Sequence, residues 1–412
     1  MKLLALSNGH GEDIIAVRIL EQLMVDRGNL EIFALPIVGR GIAYKQNNIP
    51  LIGEVKQMPS GGFIYMDGNQ LLRDLRGGLV QLTIKQLQFI RKFTRGGGFI
   101  LAVGDIVPLL FAWLSGVNYA FVGTAKSEYY LRDRHGWLQQ TSWIERQLGS
   151  VYHPVDRWLM KQPRCQAVFP RDKLTTEVLQ QYCIKAYDLG NPMMDGICQS
   201  NMTIPEKDLF SILLLPGSRI PEAEHNWQQI ITAILGVMTS FSNRPLLFLA
   251  AIAPGLELDR FTKYLEEEWQ QTSSVNKYIQ DDRAIVYNKE NATLVLSQNA
   301  YFECLTLADI AIAMAGTATE QFVGLGKPVI TMPGKGPQFT YAFAEAQTRL
   351  LGSSIVLVET PDRVGNTIKT ILNDEERMQR IAVNGKQRMG EAGAALRIAQ
   401  KLKQILSKID NN

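Results

Sequence analysis

The chain has 412 residues, 46% of them hydrophobic and 20% charged, a length that predicts two or three domains at about 100–200 residues each. Its 43 basic and 40 acidic residues leave a net charge of +3, too balanced for a dedicated nucleic-acid binder. The four cysteines, Cys165, Cys183, Cys198 and Cys304, form no C-x-x-C pair, and no histidines stand at metal spacing. That excludes a zinc ribbon or a disulfide scaffold and fits a reducing, cytoplasmic setting.

The N-terminus, MKLLALSNGHGEDII, starts apolar but has no small-residue cleavage site and runs at once into Glu12-Asp13. Lys2–Leu6 therefore reads as a first β-strand, not a signal peptide. The most apolar stretch, Phe99–Gly123, is long enough to span a membrane. Asp105, Pro108 and Gly116 divide it, and a buried strand–helix–strand passage is the expectation. Apolar runs alternate with helical patterns to the end of the chain: LLALS, EIFALPIV, FILAV, YAFVG, AVFP, SILLLPG, LLFLAAI, AIVY, DIAIAM, KPVITM and SIVLV. Nearly continuous apolar strands suit parallel sheets buried on both faces. Helix-length segments intervene at Ile14–Arg27, Asp74–Arg95, Glu222–Thr239 and Pro361–Leu406. This is the pattern of an α/β doubly wound fold. The loop-rich Gly190–Lys207 predicts a boundary, with an N-terminal domain at 1–195 and a C-terminal domain at 196–412, two Rossmann-like halves facing a cleft. The last helix is a candidate to pack back on the first domain.

Three strand-to-helix loops are candidates for holding a ligand. Ser7–Asp13 (SNGHGED) follows the first strand, but its glycines do not make a dinucleotide fingerprint, and no G-x-x-x-x-G-K-[ST] occurs in the chain. Leu215–Arg219 (LPGSR) ends a strongly apolar strand and precedes Pro221 and Glu222, which suit a helix start. Arg219 gains nothing from a helix dipole that repels cations, so Gly217, Ser218 and Arg219 suggest an anionic partner such as a diphosphate; the alternative is an arginine paired with Glu222 or Glu224. Ala315–Gln321 (AGTATEQ) again links a buried strand to a helix. Gly316, Thr317, Ala318 and Thr319 would offer N–H groups and two hydroxyls to phosphate oxygens, unless a threonine serves as an N-cap. Glu320 or Gln321 would reach ribose hydroxyls.

These residues look familiar together. LPGSR with Glu222 three residues on, GTAT after a buried strand, and Gly190–Asp195 (GNPMMD) resemble lipid-A-disaccharide synthase, whose patterns run LPGSR-x-x-E, S-G-T-A-T-L-E and G-H-P-L-x-D. Val168–Asp172 resembles its P-F-E stretch in the right order. The match covers about residues 1–330 by motif order. The resemblance implies a GT-B fold, related to the MurG-type transferases and UDP-GlcNAc 2-epimerases, and a transferase acting in lipid A or other lipid biosynthesis. The family's first loop, G-E-x-S-G-D, matches here at Asp13, and its GTATLE glutamate falls on Gln321 with Glu320 one place early. Of its D-x-P-D-F-N acceptor motif only the first aspartate, Asp105, is present. The chain thus resembles a related branch more than the synthase itself, with the donor half better matched than the acceptor half.

Transfer from a nucleotide diphosphate sugar requires charge stabilisation on the departing diphosphate and a base for the acceptor hydroxyl. No D-x-D occurs, so the expectation is metal-independent chemistry with no cofactor. Candidate bases are Asp105, His10 and Asp13; Asp105, at a strand's end in nonpolar surroundings, leads, with helix capping as its alternative role. His10 has the more suitable intrinsic pKa. Lys126–Lys173 interleaves nine Lys/Arg with Trp137, Trp143, Trp158, Tyr129, Tyr130 and Tyr152. With the basic helix Asp74–Arg95, which follows a predicted mobile loop at Pro59–Gly62, it points to peripheral contact with a membrane surface. The expected partners are a UDP-sugar donor and a lipid acceptor, without nucleic acid. The alternatives are a 2-epimerase-like enzyme and a non-catalytic sugar-nucleotide or lipid-binding descendant.

Overall fold

Strands with no polar face need cover on both sides, and that requirement organises the chain. The computed structural model describes residues 1–25, 30–53, 79–197, 208–265, 268–272 and 277–410. It comprises two units, Met1–Asp195 with Gly390–Asn412, and Gly196–Met389. The first holds β1 (Lys2–Ser7), β2 (Glu31–Pro36), β3 (Phe99–Gly104), β4 (Asn118–Gly123), a short hairpin of β5 (Arg132–Asp133) and β6 (Gly136–Trp137), and β7 (Cys165–Phe169). Its main sheet has the order β2-β1-β3-β4-β7, parallel throughout. Alternation along β1 feeds two cores. Leu3 and Ala5 pack with Ile15 and Ile19 of helix α1 (His10–Met24) and with Ile398 and Leu402 of the C-terminal helix. Leu4 and Leu6 pack on the other side with Ile90, Leu109 and Phe111.

Phe99–Gly123 is β3, the helix Ile106–Leu114 and β4. Among the described residues no helix is long and apolar enough to cross a membrane. In the expected helix Asp74–Arg95, the described part is Leu79–Thr94; its Leu82, Gln86 and Ile90 face inward while Lys85, Arg91 and Lys92 are exposed. Residues 74–78 and the loop Pro59–Gly62 lie outside the described residues.

The second unit holds β8 (Phe210–Leu215), β9 (Leu246–Ala251), β10 (Gln270–Thr272), β11 (Ile285–Lys289), β12 (Ala292–Ser297), β13 (Ile310–Ala313), β14 (Val329–Thr331) and β15 (Ile355–Leu357). Their order is β10-β11-β12-β9-β8-β13-β14-β15. From β12 to β15 the pairing is parallel, but β10, β11 and β12 pair antiparallel. AIVY is expected above as one more strand of a parallel set, and ATLVLS is not among the expected strands. The two are instead joined by a tight turn with Glu290 at φ 51.

The expected long helical segment Pro361–Leu406 is divided into helices Val364–Leu372, Glu375–Met389 and Ala394–Asp410. Breaks fall at Asn373-Asp374 and at Gly390–Gly393, whose terminal glycines have φ values of 77 and 87. After the second break the chain returns to the first unit. There Asp195 caps the incoming helix: Oδ1 accepts from Gly393 N at 2.5 Å and Ala394 N at 3.1 Å, and Oδ2 from Ala395 N at 2.6 Å. The GNPMMD aspartate is thus a helix cap for a segment two hundred residues away.

Candidate functional site

β8 and β13 are hydrogen-bonded neighbours, so the loops leaving their C-terminal ends lie side by side. These are the LPGSR and AGTAT loops. Asn226, buried in the helix Glu222–Ser240, ties them together: its Nδ2 donates to Pro216 O at 3.0 Å and to Met314 O at 3.2 Å. Gly217 sits at φ 103, and a Cβ there would stand 3.3 Å from Met314 O. Only glycine allows the two backbones so close without strain. Ser218 and Arg219 are exposed beyond it.

Glu222, expected at a helix start and among the sugar-nucleotide contacts, does open the helix Glu222–Ser240. It is 8% exposed, and its Oε1 accepts from Gln338 N at 3.0 Å and from Phe339 N. It therefore braces a third loop, Pro333–Phe339 after β14, against the first. Gly336 makes room for it, since a Cβ there would meet Glu222 Oε1 at 2.2 Å. Arg219 hydrogen-bonds to Gln338 Oε1 in the same loop, while Glu224 pairs with Lys263 and Arg260. Of the two alternative partners for Arg219, Glu224 is thus engaged elsewhere, while the charge of Glu222 acts on the guanidinium. Neither Asn226 nor the Pro333–Phe339 loop stood out in the sequence. The run PGKGP after a buried strand carried the available signal.

In the third expected loop, Gly316 is the N-cap residue and the helix Thr317–Gly324 begins with Thr317. Thr317 is exposed and Ala318 half-buried. Thr319, expected to offer a hydroxyl, is buried and donates it to Ala315 O at 2.7 Å; its N–H bonds Gly316 O at 3.1 Å. The helix geometry spends both groups on the backbone. The first-turn amides at the helix mouth are those of Thr317 and Ala318, where the dipole favours an anion. Gln321 is also buried, with Oε1 accepting from Tyr301 Oη at 2.7 Å. Glu320 is half-buried.

In the first unit, polar groups gather at the ends of β1, β3 and β4. Asp105 caps the helix Ile106–Leu114: Oδ1 accepts from Val107 N at 2.8 Å and Oδ2 from Asn8 Nδ2 at 2.9 Å. Both its oxygens are thus engaged, and burial raises its pKa. Asp13, expected as a candidate base, lies deeper. It is 2% exposed, ends a chain from Tyr44 Oη to Ser7 Oγ to Asp13 Oδ1 with both links at 2.6 Å, and cannot touch a substrate. Burial pushes its carboxyl up to about 6. His10 opens α1, and its side chain lies outside the described residues. A further acid, Glu12, which is not among the candidate bases, is half-buried in the first turn of α1. Thr124 Oγ1 donates to its Oε1 at 3.4 Å. Burial, with Asp105 and Asp13 nearby, pushes its carboxyl up to about 7. Its place between the loop glycine and a buried face was the signal.

The aromatic–basic stretch divides. Tyr129 and Tyr152 are core residues, and Trp137 stacks under Arg132 with 3.7 Å between Cζ and the ring centroid. Trp143 (73% exposed), Ile144, Val155 and Trp158 are exposed on the helices Trp143–Leu148 and Pro154–Met160. Exposed Arg134, Arg146 and Lys161 lie in the same stretch.

No family model matches the sequence, and no curated protein matches it either. Solved structures do match over the whole chain. The calicheamicin glycosyltransferase CalG4 has a TM-score of 0.60 at 12% identity, covering 99% of this chain and 98% of its own. MurG from Acinetobacter baumannii has 0.54 at 13%, covering 98% and 99%. The fold is GT-B-like. A UDP-GlcNAc 2-epimerase from Neisseria meningitidis, bound to UDP-GlcNAc, is as similar, with a TM-score of 0.57 at 14% identity and coverage of 98% and 100%. The GT-B-like chain therefore has both glycosyltransferases and epimerases among its structural neighbours.

Proposed function

We propose that this chain is a glycosyltransferase that moves a sugar from a UDP-sugar to a lipid or lipid-linked acceptor. The observation that carries this reading is the stapling of the LPGSR and AGTAT loops by Asn226 at adjacent strand ends. It joins the two loops in the second unit, one leading to the exposed Arg219 and the other to the first turn of the Thr317–Gly324 helix. In the reaction the bond from the anomeric carbon to the β-phosphate oxygen breaks, and UDP departs with the electron pair. Arg219, Gly217, Ser218 and the amides of Thr317 and Ala318 would hold that growing charge. Glu222 and Asn226 would fix the loops, and Glu320, one turn along, would be the nearer contact for the nucleoside, with Gln321 buried behind it. The acceptor hydroxyl would lose its proton to a base in the first unit, at the strand ends that carry Asp105, Glu12 and His10.

The lipid acceptor rests on the resemblance to lipid-A-disaccharide synthase and on the exposed Trp143, Ile144, Val155 and Trp158. Such residues among arginines and lysines suit an anionic bilayer surface. The second reading is a 2-epimerase, favoured by neighbours such as the N. meningitidis enzyme. The test is incubation of the purified protein with radiolabelled UDP-GlcNAc, UDP-glucose and UDP-galactose in turn, with and without a membrane lipid extract. Label entering the lipid fraction only with extract is the expected result. Release of an epimerised sugar nucleotide without extract would select the second reading. Failure of UDP to raise the unfolding temperature would remove the donor site itself.

A further inference from the structure

Three carboxylates meet at the ends of β1 and β3, and their surroundings separate them. Asp13 is sealed beneath the sheet end and bound by Ser7. Asp105 spends one oxygen on the Val107 amide and the other on Asn8. Glu12 differs: it is part-exposed, and the described bonds to its carboxylate are a long one from Thr124 and one from its own backbone amide. It also stands against the strand end, for a Cβ added to Gly104 would lie 3.3 Å from its Cγ. The backbone is tied at the same spot, where Thr124 N donates to Gly104 O at 3.3 Å.

A second observation comes from Asn8. It is 6% exposed, donates one amide hydrogen to Asp105 Oδ2, and leaves Oδ1 buried with no hydrogen-bond partner among the described residues. A buried acceptor without a donor is costly. A hydroxyl brought to this cluster would supply one.

We propose that Glu12 takes the proton of the acceptor hydroxyl, and that Asp105 is a positioning residue that fixes Asn8 and the helix start beside it. This rests on the transferase reading above. The hydroxyl's O–H bond breaks with its proton passing to the Glu12 carboxylate. The oxygen bonds the anomeric carbon, and the UDP oxygen leaves with the electron pair of the broken bond. The groups acting on Glu12 are Asp13 on its own helix, Asp105 after β3 and Thr124 after β4, and Lys126 beyond them acts on Asp105. Tyr44 lies behind Asp13. Lys126 is held by Asp156 at 2.8 Å. A carboxylate in that company, pushed up to about 7, is matched to proton abstraction near neutrality.

The test uses the full chain with whichever UDP-sugar labels the lipid extract, and compares E12Q, E12D and D105N with the parent from pH 5.5 to 9. The parent rate should climb through neutrality. E12Q should lose roughly 100-fold or more in kcat and that climb, with unchanged thermal protection by UDP. D105N should be slower but keep the climb. If E12Q unfolds, as loss of UDP protection would reveal, E12D serves: its shortened carboxylate should lower kcat and shift the climb without changing UDP protection. E12Q or E12D with the parent's rate and profile overturns the role of Glu12. D105N losing the climb while E12Q keeps it assigns the proton to Asp105. A parent protein that labels no lipid overturns the transferase reading and this role together, a result distinct from the other two.

Discussion

Arg219 illustrates how a residue's role was legible in part. A cation at a helix N-terminus is unfavourable, and that mismatch marked it; its hydrogen bond to Gln338 lay 119 positions away and was invisible. Arg219→Ala is expected to weaken UDP binding by about 10- to 100-fold, the worth of a charge-assisted bond of roughly 1.5–3 kcal/mol, read from the UDP-dependent rise in unfolding temperature. Arg219→Lys should recover only part of it, because a point charge lacks the planar fork. Glu12 gives a pH prediction whose sign follows from linkage. Its folded-state pKa is raised from 4.5 to about 7, so the folded form holds the proton more tightly. Its contribution to stability is present below about pH 4.5 and is lost as pH rises through 7. Glu12→Gln should therefore match the parent at pH 4 and exceed it by about 1–3 kcal/mol at pH 8, measured by denaturant unfolding. Asp105 was read correctly as standing at a strand's end, and its capping role was the stated alternative. Asp13 was not, because depth beneath the sheet is decided by the turn of α1 and by Tyr44 beyond it.

At the scale of elements, the strand-to-helix loops were visible as glycine and hydroxyl clusters after apolar runs. What they touch was not. Gly336 has no neighbour in sequence that explains it, yet Glu222 occupies the space its side chain would need. Gly336→Ala is expected to push Glu222 off the Gln338 and Phe339 amides and to weaken UDP binding several-fold by titration calorimetry, a change in the second unit alone. The helices Trp143–Leu148 and Pro154–Met160 carry a separate expectation. Trp143→Glu with Ile144→Glu should leave UDP binding intact and reduce sedimentation with vesicles of phosphatidylglycerol and phosphatidylethanolamine. Equal sedimentation of both proteins would remove this face as a membrane contact. Tyr129 and Tyr152 were placed with those tryptophans by composition, but alternation between surface and core within a loop-rich stretch follows no period that a sequence displays.

For the whole molecule, the last helix belongs to the unit formed by the first half of the chain. Ile398, Leu402 and Leu406 complete the core beneath β1, and Asp195 caps that helix through three amides. Asp195→Ala is expected to cost about 1–2 kcal/mol, and Leu402→Ala about 2–5 kcal/mol, each seen as earlier unfolding of the first unit by hydrogen exchange. Burial of the strands on both faces, the helices between them and the loops at their ends were all legible in the amino-acid order. Those properties are local: hydrophobic runs and glycine positions carry them along a few residues of chain. Tertiary structure alone decided the order of the strands, and with it that the LPGSR and AGTAT loops are neighbours. It likewise decided which of three carboxylates is sealed, which is a cap and which is left partly exposed. Pairing of β8 with β13 and the placing of Asn226 between their loops join residues some ninety positions apart, and no local preference encodes a contact over that distance.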